Sequence, residues 1–538
     1  MILKGRKIRS LPSMPIWEYI NEKIQIFGEK TAQVEVETKK EITFSEIINN
    51  SKCLSEGLKA QGIQQGDVIA ICSENNIDYC WIVLGVLQTG ACCTLLSPTY
   101  TSREWHHALS VSQPKLVMCS MSVCETKLEQ YLETGTIQNV LVWGTGTENK
   151  QLPKCCISLK EIIFNSKKTN LMLAKNNNVT EQIENISTME LPAFILSSSG
   201  STSLPKGVVL THFNVTTALT TSGDYASSDE IALGISPFCH AYGLLLVLMC
   251  MCEGSKVVIM RKFSPHIFIN CLQEYKVTCL HLMASLLVVL LKKDVLDKPE
   301  CKSIHHVWTG AAPLNPKLQA LVLEKLSKHA VLHHSYGLTE TTFTMFTCIV
   351  GPNSLGTPGK LTPGMECKVI DVETGKSVGP NCKGELCFRG PLLMREYIRN
   401  IKATIKAIDF DGWLHSGDLG YYNEDGYFFI VDRLKEIIKH QGYQISPSEL
   451  ESILIMHPAV LDAAVVGIED KTFGELPKAF IVKEPDSSVT ADQIKDFIAN
   501  QVSPYKKLSG GVRFVNFIPK TTTGKINRRE LRYYIEKV

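Results

Sequence analysis

Residues 193 to 214 read A-F-I-L-S-S-S-G-S-T-S-L-P-K-G-V-V-L-T-H-F-N, an apolar start that empties into small and hydroxyl residues followed by a lysine. The apolar part has the length and content of a buried strand. Beyond it, backbone N–H groups in a glycine-containing turn can surround phosphate oxygens. The hydroxyls of Ser198, Ser199, Ser201 and Thr202 flank Gly200, and Lys206 adds a positive charge. The pattern is not a Walker A loop. Pro205 stands where that motif needs its second glycine, and Gly207 where it needs a magnesium-binding hydroxyl. A different nucleotide-binding turn is expected, against the competing reading of a Ser/Gly-rich surface linker.

The run S-S-G-S-T-S-L-P-K-G-V followed by T-H-x-N resembles the signature loop of adenylate-forming enzymes. That superfamily comprises acyl-CoA synthetases, 4-coumarate–CoA ligases, beetle luciferases and peptide-synthetase adenylation domains. Ser203 stands where the family usually has glycine. Further segments match in order, from about Gly85 to Lys525. His334-Ser335-Tyr336-Gly337-Leu338-Thr339-Glu340 resembles the second signature, with histidine and serine where glutamine and glycine are usual. Such a turn can press backbone against adenine, Thr339 can contact a phosphate, and Glu340 can hold Mg2+. In Trp413-Leu414-His415-Ser416-Gly417-Asp418 the resemblance assigns Asp418 to the ribose, and one carboxylate suits a vicinal diol.

The resemblance implies that Arg433 also reaches the nucleotide and that Leu434 and Lys435 form a hinge. It places Gly310 and Ala311 along the adenylate and His240 beside the acyl group. It puts Lys525, in Thr523-Gly524-Lys525, on a mobile loop where its ammonium follows the charge developing as pyrophosphate leaves. Lys439, Gln441 and Gly442 fall where plant ligases meet coenzyme A, with Gln441 replacing a lysine. His240, Tyr242, Leu246, Phe343 and Thr344 form the implied acid pocket. The implied reaction joins a carboxylate to MgATP as an acyl-adenylate, then passes the acyl group to coenzyme A. Its substrate is expected to be a fatty or other apolar acid. The alternative is a luciferase-type monooxygenase that consumes the adenylate with O2.

These residues need scaffolding from several elements. Ile42–Gly57, Val68–Cys72, Ile77–Thr89 and Lys115–Met118 alternate helical and strand patterns, which predicts an α/β layered domain. Residues 165 to 184 read as a polar loop, and residues 351 to 390, rich in Gly and Pro with the short strands Glu366–Val372 and Gly384–Arg389, as a β-rich subdomain. A boundary is expected between Asp432 and Arg433. It divides a large adenylate-forming domain, 1–432, from a small mobile α+β lid, 433–538, with the order helix, strand, strand, helix, strand.

Composition bounds the rest. The chain has 538 residues, 44% apolar and 20% charged, as in globular proteins of two or more domains, and its net charge of +2 gives no argument for a nucleic-acid partner. Its 19 cysteines include adjacent pairs and no Cys-x-x-Cys, which predicts reduced thiols. Cys250 and Cys252 are expected in the core rather than on zinc. The apolar runs Leu244–Cys252 and Leu280–Leu291 are too short to span a bilayer. With no signal-peptide core and no Ser-Lys-Leu ending, the cytoplasm is the expected location, and a short mitochondrial presequence stays open.

Overall fold

The computed structural model describes residues 1–8, 10–128, 131, 139–144, 156–163, 188–198, 205–221, 227–310, 314, 316–441, 443–470, 472–521 and 524–536. Three sheets build the large part of the chain. The first orders Glu396–Tyr397, Gly207–Thr211, Pro192–Ser197, Cys92–Leu96, Val68–Cys72, Leu116–Ser120, Val140–Trp143 and Cys156–Ser158. Its run from Pro192–Ser197 to Cys156–Ser158 is parallel, and its strands are buried almost throughout, as expected of a sheet covered on both faces. The second is a nine-stranded sheet in which His306–Gly310 and Val331–Gly337 are neighbouring interior strands, beside the central Cys279–Met283. The third is antiparallel, in the order Leu3–Lys4, Glu366–Ile370, Gly384–Arg389, Leu414–Tyr422 and Phe428–Arg433.

Most predicted elements stand close to where the periodicity put them. Val68–Cys72 and Gly384–Arg389 agree at both ends, and the helix in Ile77–Thr89 is Tyr79–Leu87. Segment 165–184 lies outside the described residues. The apolar run Leu280–Leu291 is not one element. It divides into the strand Cys279–Met283 and the helix Ala284–Lys292, since both are buried and periodicity alone does not separate them. The run Leu244–Cys252 lies in the helix Ala241–Cys252, which is buried on nearly every side, with Cys250 and Cys252 in its core. No helix among the described residues is long and apolar enough to cross a membrane. The described cysteines are free thiols.

The C-terminal part has its own sheet and its own core around Leu450, Val465, Ile481 and Ile494. It differs from the expected order in two places. A hairpin, Ile438–His440 with Tyr443–Ile445, precedes the first helix, Pro447–Leu454, and the helix Arg528–Glu536 follows the last strand, Val512–Phe514. The strand Phe428–Arg433 carries the large part's sheet one residue past the expected boundary.

Candidate active site

The strands Pro192–Ser197 and Gly207–Thr211 pair antiparallel, and the hydroxyl-rich run joins them in sequence. Ser198 N–H donates to the Lys206 carbonyl at 2.9 Å, one step beyond the last paired residues. Ser199, Gly200, Ser201 and Thr202 lie outside the described residues, as do Ala311 and Gly442. The Lys206 ammonium lies 4.3 Å from the centre of the Tyr397 ring. Tyr397 Oη in turn donates to Glu340 Oε1 at 2.8 Å. Burial draws the Lys206 pKa below its ordinary value. Glu340 opposes that shift, and Lys435 and Lys406 add to it.

Glu340 is aimed by a sharply constrained segment. A side chain at Gly337 would put its Cβ 2.0 Å from the Phe343 carbonyl oxygen, so only glycine lets the chain fold back there. The tight turn Thr339–Thr341 follows, with Leu338 N–H donating to Thr341 Oγ1 at 3.0 Å. Thr342 then adopts φ +62°, a left-handed conformation costly for a β-branched residue, and its hydroxyl is held by the Leu392 carbonyl at 2.7 Å. Upstream, Ser335 Oγ donates to the Thr309 carbonyl at 3.3 Å. A Cβ on Gly310 would sit 2.8 Å from that same Oγ. The His334 imidazole is engaged inside the core: its Nδ1 lies 3.0 Å from Gln319 Nε2 and 3.1 Å from the Thr357 carbonyl. Burial pushes its pKa down to about 4, so it is uncharged at neutral pH.

Tyr336 connects this segment to the ribose candidate, because its hydroxyl donates to Asp418 Oδ2. Asp418 is only 2% exposed. It stands directly across the ladder from Arg433, whose Nε reaches Asp418 Oδ1 at 2.7 Å. Burial raises the Asp418 pKa, opposed by Arg433 and Tyr336. Burial works against the Arg433 charge, but Asp418, Tyr336 and Glu340 hold its pKa above the usual value. The strand is irregular just before this pair. Gly417, at φ +70°, donates its N–H to Glu385 Oε1 at 3.0 Å and accepts from Leu434 N–H at 2.8 Å.

The other wall is apolar. His240 precedes the buried helix Ala241–Cys252, and its Nε2 is buried with no hydrogen-bond partner among the described residues. Burial, helped by the charge of Lys525, pushes its pKa down to about 4, leaving a neutral imidazole. The Tyr242 ring stacks on Phe343 with centroids 6.2 Å apart. Phe343, Thr344 and Leu246 are buried. Beneath the first turns of the helix runs a narrow cavity lined by Ile235, Phe238, Gly243, Leu246, Val247 and His281, among others.

Lys525 closes the site from the C-terminal part. It sits in a turn in which Thr521 N–H donates to the Lys525 carbonyl at 2.7 Å and Lys525 N–H to Thr521 Oγ1 at 3.2 Å. Its pKa is pushed down to about 8 by burial and Arg433, against the pull of Asp418 and Glu340. Lys206, Glu340, Asp418, Arg433, Lys525 and His240 are thus brought to one place from strands and loops far apart in the chain. Lys435 is exposed but near enough to act on Lys206. Lys439 and Gln441 are also exposed, on the hairpin, with Gln441 at φ +51° and its N–H on the Phe473 carbonyl at 2.9 Å.

Two residues emerge only in three dimensions. Tyr397, in the unremarkable stretch Arg395-Glu396-Tyr397, positions both Lys206 and Glu340. Asp432 accepts from Ser446 Oγ at 2.6 Å and Ser448 N–H at 2.9 Å, gripping the first helix of the C-terminal part. Its place beside Arg433 was the only available signal.

Lys206, Glu340, the Asp418–Arg433 pair and Lys525 form one constellation, set in a chain whose relatives comparison with known proteins identifies. The model of the AMP-binding enzyme family matches residues 20–398, and that of the AMP-binding enzyme C-terminal domain matches 449–525. The luciferin 4-monooxygenase of Nipponoluciola cruciata is 36% identical over 505 residues, 92% of this chain and 89% of that one. The 4-coumarate–CoA ligase 1 of Petroselinum crispum is 34% identical over 531 residues, 96% of this chain and 94% of that one. In structure, an anthranilate CoA ligase in complex with anthranoyl-AMP superposes with a TM-score of 0.85 at 22% identity, covering 98% of each chain, which speaks for the fold alone. An o-succinylbenzoate CoA synthetase from Bacillus subtilis, in complex with its acyl-adenylate, gives 0.79 at 25% identity, covering 97% of this chain and 99% of that one. With the family model spanning most of its length and relatives of 36% and 34% identity covering 92% and 96% of it, this chain belongs to the AMP-binding family of adenylate-forming enzymes.

Proposed function

We propose that the protein activates a flexible, largely apolar carboxylic acid with ATP and transfers the acyl group to coenzyme A. The first half joins the acid to the α-phosphate of ATP and releases pyrophosphate. In the second, the coenzyme A thiol attacks the acyl carbon, AMP leaves and the thiol proton goes to solvent. The observation that carries this reading is the position of Lys525, whose charge is felt by Asp418, Arg433, Glu340 and His240 at once. That is where charge builds when a carboxylate oxygen attacks phosphorus.

The residues fit the reactants. Asp418, held by Arg433 and Tyr336, presents acceptors for a ribose diol. Glu340, oriented by Tyr397, supplies a carboxylate for Mg2+ next to Lys206. The ion would neutralise phosphate charge when bound. His240, being neutral, lets an acid enter beside it without forming a salt bridge that would hold the carboxylate in place. Lys435, Lys439 and Gln441 are each exposed, as contacts to an incoming coenzyme A would need.

The luciferase reading rests on the 36% identity to luciferin 4-monooxygenase. Against it, Phe343 stacks on Tyr242 and narrows the space for a rigid two-ring substrate, since overpacking costs roughly 1–3 kcal/mol. A panel of carboxylic acids, assayed by ATP–pyrophosphate exchange and then with and without coenzyme A, tests both readings. Thioester and AMP formed from a flexible apolar acid support the proposal. Light from beetle luciferin at a turnover matching the best acid overturns it.

A further inference from the structure

We propose that Glu385, Cys387 and His415 form a binding site for a thiophilic divalent cation such as zinc, between the strand that carries Asp418 and its neighbour Gly384–Arg389. Cys387 and His415 face each other across the ladder between Gly384–Arg389 and Leu414–Tyr422. Glu385 stands two residues before Cys387, where strand periodicity returns side chains to one face. His415 Nδ1 lies 3.7 Å from Cys387 Sγ and 2.9 Å from Glu385 Oε2. The three ligand atoms all lie within 4.8 Å of one another. Tetrahedral zinc with ordinary bond lengths holds a sulfur and a nitrogen about 3.6 Å apart and a nitrogen and an oxygen about 3.3 Å apart. Small side-chain movements therefore seat the ion.

Two features separate this group from a chance cluster. The second nitrogen of His415, Nε2, lies 3.5 Å from Asp409 Oδ2. Histidines that bind metals commonly carry such a carboxylate on their outer nitrogen, where it fixes the ring and its tautomer. Glu385 is oriented as well, because its other oxygen accepts Gly417 N–H at 3.0 Å. A histidine clamped between two carboxylates would explain the Glu385 and Asp409 contacts. It does not explain the fully buried Cys387 thiol pointed at the same imidazole. Glu385 and His415 are partly exposed, at 15% and 30%, so the site opens to solvent for entry and for a water as fourth ligand.

Binding forms metal–sulfur, metal–nitrogen and metal–oxygen bonds and releases the Cys387 thiol proton to solvent, with no change in oxidation state. Because Gly417 is tied to Glu385 and precedes Asp418, the ion would sit one hydrogen bond away from the ribose carboxylate.

The test uses the purified full chain, stripped with a chelator and titrated with cobalt(II), which reports thiolate ligation through a near-ultraviolet charge-transfer band. The expected result is a saturable band that zinc displaces, absent from Cys387→Ala and His415→Ala. Asp409→Asn, acting only on orientation, keeps the band with affinity weakened roughly 10–100-fold. Cooperative thermal unfolding of each variant establishes that it is folded. No band in the native chain, or the same band and zinc uptake in Cys387→Ala, overturns the site. If Cys387→Ala does not fold, Asp409→Asn decides: a band with weakened affinity supports the site, and unchanged affinity overturns it.

Discussion

The two walls of the site solve opposite problems. On the side we assign to the nucleotide, fixed charges are set against fixed partners: Asp418 against Arg433 and Tyr336, Glu340 against Tyr397. On the side we assign to the acid, His240 is neutral and the surface is Tyr242, Phe343 and Leu246. ATP always brings the same groups, so its contacts can be built in advance, and electrostatic preorganisation then needs no rearrangement at the moment of reaction. The acid differs mainly in its apolar body, which shape and burial can select without polar readout. Lys525 belongs to neither wall. It brings a charge between them from a loop, which suits a group needed in one step and unwanted in the next.

The sharpest way to break this division is Lys525→Ala. Loss of a charge at the developing anion should slow adenylation by about a hundredfold, on the order of 3 kcal/mol. Conversion of pre-made acyl-adenylate to thioester should be nearly unaffected, and an equal loss in both half-reactions would show that Lys525 serves both. Phe343→Ala probes the acid wall. It should cost about 3–5 kcal/mol of stability in chemical unfolding, as expected for an emptied aromatic site, while admitting bulkier ring acids. Unchanged ranking across an acid panel would place Phe343 in the core only. Asp418→Asn should raise the KM for ATP by roughly 1.5–3 kcal/mol of lost charged hydrogen bonding, about 10–150-fold, and leave the KM for the acid near its original value.

A pH profile separates the walls without mutation. The folded pKa of Lys525 is near 8 and its unperturbed value 10.5. The folded chain therefore binds this proton less tightly, and raising pH through that window favours the folded state while removing the catalytic charge. In ATP–pyrophosphate exchange, kcat/KM for ATP should fall above about pH 8 with no parallel loss of unfolding midpoint. His240 and His334 act in the same sense in a lower window. Both are near 4 when folded and 6.5 otherwise, so stability should decline as pH falls from 6.5 toward 4. The smallest expected effect is Gln441→Lys. An exposed charge contact of about 0.5–1 kcal/mol should lower the KM for coenzyme A roughly two- to fivefold, with adenylation unchanged.

The residues that converge were legible in the sequence because their types are written in short contiguous runs. The segments around Lys206, Thr339-Glu340, Asp418 and Lys525 each carry their residue types at fixed spacing, and local turn chemistry kept them recognisable. Bridging residues were not legible. Tyr397 acts across 57 residues on Glu340, and nothing in its neighbours signals that contact. His334 sits inside a recognisable motif, yet its ring turns to Gln319 and Thr357. A strand sends alternate side chains to opposite faces, and spacing alone does not say which face a ligand will occupy. The hairpin Ile438–His440 with Tyr443–Ile445 escaped because its strands are three residues long and its turn uses Gln441 in a left-handed conformation rather than a strong Asn-Gly or Asp-Gly signal.

Asp432 and Arg433 are neighbours with different loyalties, one fastened to Ser446 and Ser448 and the other to the ribose carboxylate. Under the proposed function, the fastening of the C-terminal part and the anchor of the nucleotide are consecutive links of one chain. A rotation of the C-terminal part that began at Leu434 would twist the peptide on which Arg433 rides, so turning it would also loosen the grip on AMP. Timing of product departure would then be written into covalent connectivity, and a single inserted residue between 432 and 433 would uncouple the two motions while leaving every side chain of the site in the sequence.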